Sequence, residues 1–237
     1  MGRGRYWLWL GARLAVAIAV IAYALSFLGT GGGEKEFQKT LEAMKQVRSF
    51  RMATSATPYT QRNDALWEVD CNHNLVHHME HYVNTCTNPP DCSQQSDFRQ
   101  EELDFAVWRY LRKADGTWAT GGQLASRQTQ YACGHLAEGT DSGLLPPIAT
   151  MVRRGVMQKG DKKTVNGVRC REWLVTLKGG MNGLEHDTLC LGIEDHLPYE
   201  MTVDWAHART LFSDYNVPMH FDLPEEVLKA TSVNGSN

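Results

Sequence analysis

The spacing of apolar positions changes twice along the chain, and each change marks a different kind of element. In EKEFQKTLEAMKQVRSF, Phe37, Leu41, Met44 and Val47 recur every three or four residues with charged positions between them. That spacing predicts an amphipathic helix. From Phe50 onward the period falls to two. FRMATSAT, ALWEVDC, LVHHMEHYVN, ELDFAVWRYLRK, REWLVTL, TLCLGI, YEMTVDWA and TLFSDYN read as strands, rich in Val, Thr and aromatic residues. Turn signals such as ADGTW, KGGMNG, IEDHLP and NVP separate many of them. Tyr199, Met201, Val203 and Trp205 alternate with Glu200, Thr202 and Asp204, the pattern of an antiparallel strand with one apolar and one wet face. One insert, GTDSGLLPPIATMVRRGVMQKG, returns to helical spacing through Leu144, Ile148, Met151 and Val152, with Pro146 and Pro147 near a helix start. No internal repeat or linker divides residues 34–237, which read as one α+β domain.

The stretch CNHNLVHHMEHYVNTC sets His73, His77, His78 and His81 close together. Across Trp67–Val83 the odd positions carry Trp67, Val69, Cys71, Leu75, Met79 and Val83, while most even positions are polar. The period is two, so Asn72-His73-Asn74 reads as a turn and His77, His78 and His81 as residues of the returning strand. On a strand His77 and His81 share a face about 13 Å apart, at 3.3 Å per residue, too far for one ion. On a helix they would be four apart and able to chelate, and Leu75, Met79 and Val83 also fit that spacing. The strand pattern is the better supported, and no metal site is expected.

Residues 1–33 stand apart. Arg3 and Arg5 precede YWLWLGARLAVAIAVIAYALSFLG, in which only Arg13 is charged. Tyr6 to Leu28 is long enough to cross a bilayer at about 1.5 Å per residue. Tyr6, Trp7 and Trp9 suit an interfacial belt, and the arginines place the N-terminus in the cytoplasm. A cleaved signal peptide with Ala22-Tyr-Ala24 as its cleavage motif is the other reading. In both cases the body is exported. Removing the three arginines of residues 1–33 from the chain's 24 basic residues leaves 21 against 27 acidic ones, a charge of −6. Such a body lacks the clustered cations that nucleic acid demands, so no nucleic-acid partner is expected.

Export also fits the cysteines. Cys71, Cys86, Cys92, Cys133, Cys170 and Cys190 are even in number, all follow the apolar segment, and include no Cys-x-x-Cys pair. Cys170 and Cys190 lie at equal distances from Gly180 in KGGMNG, so they are expected opposite each other across a hairpin, close enough for a disulfide. The other four allow three pairings. No nucleophile elbow, P-loop, His-Glu-x-x-His helix or EF-hand loop is intact: the serine of GTDSG is one place late, and GTGGGEK lacks the final Gly-Lys-Ser/Thr. No catalytic residue and no cofactor is expected.

Several segments resemble the LolA-like superfamily of exported lipid and lipoprotein carriers, including its LprG- and LppX-like branch. LEAMKQVRSFRMATSA is similar to the first helix and strand of that family, ELDFAVWRYLRKADGTW to its tyrosine strand and Asp-Gly-x-Trp turn, and TVNGVRCREWLVTL to its Asn-Gly-Val strand entry. IEDHLPYEMTVDW and TLFSDYNVPMHFDLPEE are similar to its closing strands. The resemblance implies an open antiparallel half-barrel whose concave face, covered by helices, takes acyl chains. The chain lacks the N-terminal cysteine through which the lipoproteins of the family are attached. On such a sheet the inner face would gather Trp67, Trp173, Val175, Met201, Val203 and Trp205 around a cavity, with Leu144, Ile148 and Met151 as its lid. The expected function is non-catalytic binding of lipid or lipoprotein acyl chains outside the cytoplasmic membrane, with an envelope protein as the alternative partner.

Overall fold

The computed structural model of the protein describes residues 33–57, 61–84, 97–105, 108–123, 155–178, 184–204 and 206–234. The first described element is helix α1 over 33–44. Eleven strands follow among the described residues: β1 Ser49–Ala56, β2 Gln61–Asp70, β3 Leu75–Asn84, β4 Asp97–Phe105, β5 Trp108–Arg112, β6 Trp118–Gln123, β7 Gly155–Val165, β8 Val168–Lys178, β9 Leu184–Gly192, β10 Pro198–Val203 and β11 Ala208–Ser213. Helix α2, Glu225–Asn234, comes last. The expected insert helix with Leu144, Ile148 and Met151 lies outside the described residues, as do Trp205, Cys86, Cys92, Cys133 and the apolar segment Tyr6–Leu28. Among the described residues no helix is long and apolar enough to cross a membrane.

All strands join one open sheet in the order β6-β5-β4-β3-β2-β1-β11-β10-β9-β8-β7. Two meanders, β1–β6 and β7–β11, are stitched together where β1 pairs antiparallel with β11. Every connection within a meander is local, so register is fixed by turns as much as by burial. Between β7 and β8, Asn166 and Gly167 both have positive φ (48° and 81°), the requirement of a type I′ two-residue hairpin. Between β2 and β3, Asn74 takes φ 53° at the end of a four-residue turn.

Three expectations change. ELDFAVWRYLRK is two strands rather than one: Phe105 pairs with Trp108, so the chain reverses between them. Alanine and valine are not the residue types that signal a turn, so the apolar run of the sequence hides the reversal. The odd-position pattern over Trp67–Val83 does not describe a single face. Trp67 pairs with His78 and Leu66 with Met79, so the turn at 71–74 inverts the phase. Trp67 and Val69 therefore face one side of the sheet, and Leu75 and Met79 the other. Finally, Cys170 and Cys190 do form a disulfide, with Cα atoms 5.5 Å apart. They are diagonal neighbours, because Cys170 pairs with Gly192 and Cys190 with Glu172. The hairpin is centred one residue beyond Gly180.

Among the described residues each face of the sheet carries one helix. On the first, Phe37 and Met44 of α1, with Val47 just beyond its end, settle onto Phe50, Met52, Val69, Trp173, Val175, Leu189, Met201, Val203 and Phe212, all buried in one cluster. Phe37 meets Trp173 edge to face, ring centroids 6.2 Å apart. On the second face, Val227 of α2 and Phe221 and Leu223 ahead of it cover Leu75, Leu103, Tyr110, Phe105 and Trp118. Pro224 and two acidic residues in the first turn start α2 favourably.

Candidate functional site

Four of the side chains expected to line a cavity come together on the α1 face. Trp173, Val175, Met201 and Val203 are buried there, and Trp67 packs partly buried against the same cluster. With α1 seated on them they are core residues, and their apolar contacts are made with Phe37 and its neighbours. The indole Nε1 of Trp173 is buried with no hydrogen-bond partner. Further along the same face the sheet turns polar. Arg109 holds both oxygens of Asp104 at 2.9 and 3.0 Å and reaches Glu102 at 3.2 Å. Burial pushes the Glu102 carboxyl above its ordinary range, with Arg109 opposing. His78 lies flat on Trp67, ring centroids 3.7 Å apart, and burial lowers it to about 4, so it is neutral near pH 7.

The open concavity is on the other face. A groove of about 840 Å³ crosses β11, β1, β2, β3 and β4 and is closed at one side by Lys113 and Ala114 of the β5–β6 turn. Register explains its character. Leu211, Ala53, Leu66 and Met79 are successive cross-strand partners, so four apolar side chains from four strands form one continuous floor. At about 4.8 Å between strands that floor spans about 14 Å. It ends on β4 at Glu101, the partner of Met79.

Charged rows flank the floor on both sides. On one side Arg209, Ser55, Asp64, His81 and Arg99 are consecutive partners. Asp64 accepts bonds from Ser55 and Arg62; these outweigh burial and hold it below the usual carboxylate range. His81 Nε2 meets Asp97 at 2.8 Å. On the other side runs an alternating chain of polar contacts. Arg51 binds Asp214 at 2.8 Å and Glu68 at 2.6 Å, and Glu68 meets His77 Nδ1 at 2.9 Å. His77 Nε2 then meets Glu101 at 3.0 Å.

His77, His78 and His81 are thus residues of β3 and His73 lies in the turn before it, as the period-two reading expects; His77 and His81 meet carboxylates, while His78 stacks on Trp67. Among the described residues no group of three or more His, Cys, Asp or Glu is arranged to hold a metal ion. The groove floor was missed in the sequence because Leu66, Met79 and Leu211 are separated by long stretches of chain. The available signal was Leu66 beside Trp67 and Leu211 beside Phe212: adjacent apolar residues on a strand mean that both faces are apolar.

No family profile and no curated protein sequence matches the chain. Solved structures do. A crystal structure of MucB is 13% identical, with 84% of this chain and 62% of that one covered at a TM-score of 0.41. The Pseudomonas aeruginosa MucA/MucB complex gives 14% identity, 79% and 58% coverage and a TM-score of 0.41. A LolA superfamily protein from Nitrosomonas europaea gives 12% identity, 80% and 96% coverage and a TM-score of 0.27. The chain spans about three fifths of the length of the MucB structures.

Proposed function

We propose that the protein binds acyl chains of lipids or lipid-modified proteins, without catalysis, on the outer side of a bacterial cytoplasmic membrane, and that Tyr6–Leu28 anchors it there. The observation that carries this reading is the apolar floor of Leu211, Ala53, Leu66 and Met79 in a groove of about 840 Å³, within the size range of small-molecule sites. Transfer from water contributes about 0.8 kcal/mol per buried methylene, so ten methylenes on the floor supply about 8 kcal/mol before the cost of association. That sum caps the affinity near the micromolar range. The Cys170–Cys190 disulfide supports an oxidising compartment. Flanking charges set orientation and require no reacting group.

The test is native mass spectrometry of the exported body, followed by organic extraction. Co-purified or added palmitoyl-lysophosphatidylcholine should appear as a stoichiometric adduct, lost when Leu66 and Met79 are both replaced by Glu. An empty protein that crosslinks only to another envelope protein would replace this reading with a protein-interaction role.

A further inference from the structure

We propose that filling the groove with an apolar chain tightens the seat of the C-terminal segment 221–234, with the His77–Glu101 hydrogen-bonding contact as the link; this rests on the groove reading above. His77 is the junction. Its side chain is 13% exposed and both ring nitrogens face carboxylates, Glu68 at 2.9 Å and Glu101 at 3.0 Å. The edges of the same ring meet Trp118, with centroids 6.4 Å apart, and Phe221 at 6.0 Å. Trp118 in turn donates its indole N–H to the Asp222 carbonyl at 3.1 Å and lies under the Arg112 guanidinium, which binds the Asp222 carboxylate at 2.6 Å. The imidazole is therefore packed under the segment that leads into α2.

Glu101 belongs to both structures. Its side chain is 34% exposed, it lines the groove, and it stands opposite Met79 at the end of the apolar floor. An apolar chain on Met79 displaces water from that carboxylate. Losing water lowers the effective dielectric around the pair and strengthens its attraction, while parting the two groups becomes more costly. The filled groove thus holds the His77 ring in place, and with it the seat of Trp118 and Phe221. Linkage makes the effect reciprocal: loosening the seat must weaken chain binding by the same factor.

Hydrogen exchange of the amides of 225–234, read with and without palmitoyl-lysophosphatidylcholine, tests this on the whole exported body. Protection should rise about fivefold on binding, the lower end of typical couplings. Phe221→Ala, outside the groove, should weaken binding of the probe by about the same factor. Trp118→Phe, which keeps a ring but loses the bond to Asp222, gives the same sign if Phe221→Ala does not fold. Glu101→Gln should bind the probe without the rise in protection. Probe binding with unchanged protection in the parent protein, or unchanged affinity in the Phe221 and Trp118 variants, would overturn the coupling and leave the groove reading intact. No probe binding by the parent would overturn both.

Discussion

Replacing Phe37 by Ala separates a packed inner face from an open one. Phe37 is 0% exposed, lies in the cluster under α1, and its ring meets Trp173 edge to face at 6.2 Å. Truncating a phenylalanine in such a site costs about 3–5 kcal/mol, since the lost transfer energy is joined by the cavity left behind. The edge-to-face contact accounts for about 1 kcal/mol of that. For a domain of this size the melting temperature should fall by about 10 °C. Thermal and urea unfolding, followed by circular dichroism, measure the loss. Affinity for an acyl probe, measured on the folded variant, should stay within about twofold of the parent because the groove is on the opposite face. A shift of under about 3 °C together with loss of probe binding would refute this. It would mean that α1 is a removable lid and that Trp173, Val175, Met201 and Val203 form the ligand cavity.

Replacing Cys170 and Cys190 together by Ala should cost about 3 kcal/mol from loop entropy over a separation of 20 residues, and reductant should lower the melting temperature of the parent but not of the variant. His78 makes stability pH-dependent. Its folded value of about 4 lies below the unfolded value of about 6.5, so the unfolded chain binds the extra proton and stability is lost as pH falls from about 6.5 to about 4. At this partly solvated site the loss is about 2 kcal/mol, and His78→Phe should flatten that part of the profile in urea titrations. Glu200 is buried and bound by Lys163 and Arg209; these bonds outweigh burial and hold it below the usual carboxylate range. Its contribution is present above the unfolded value and lost as pH falls through the folded one, and Glu200→Ala should cost about 3 kcal/mol in the same titrations near pH 7.

Legibility in the sequence followed how local each cause was. Helix α1 was readable because Phe37 and Met44, with Val47 just beyond its end, bury against one surface. The strands with alternating residues were readable for the same reason, as was the Cys170–Cys190 pair from its hairpin. Strand β6 was hidden by Gly121 and Gly122, which carry no apolar pattern, and β7 by Gly160, Asp161 and its lysines at a bulged edge. Charges and a bulge on an edge strand guard against pairing with other chains, and they also erase the period. Helix α2 carries a start signal in Pro224-Glu225-Glu226, but the likeness of TLFSDYNVPMHFDLPEE to closing strands masks it. The groove was illegible for a different reason. Its floor depends on pairing of β11 with β1 and on the phase inversion at 71–74, and neither is a property of any short window.

The central claim, that an acyl chain lies on the face opposite α1, is tested most directly by photocrosslinking. A palmitoyl chain bearing a mid-chain diazirine would be irradiated on the intact exported body and the adducts mapped by peptide mass spectrometry. Adducts are expected on Leu66, Met79 and Leu211, the floor residues of three different strands. Adducts concentrated on Trp67, Trp173, Met201 or Val203, or none above the background of a denatured control, would contradict it.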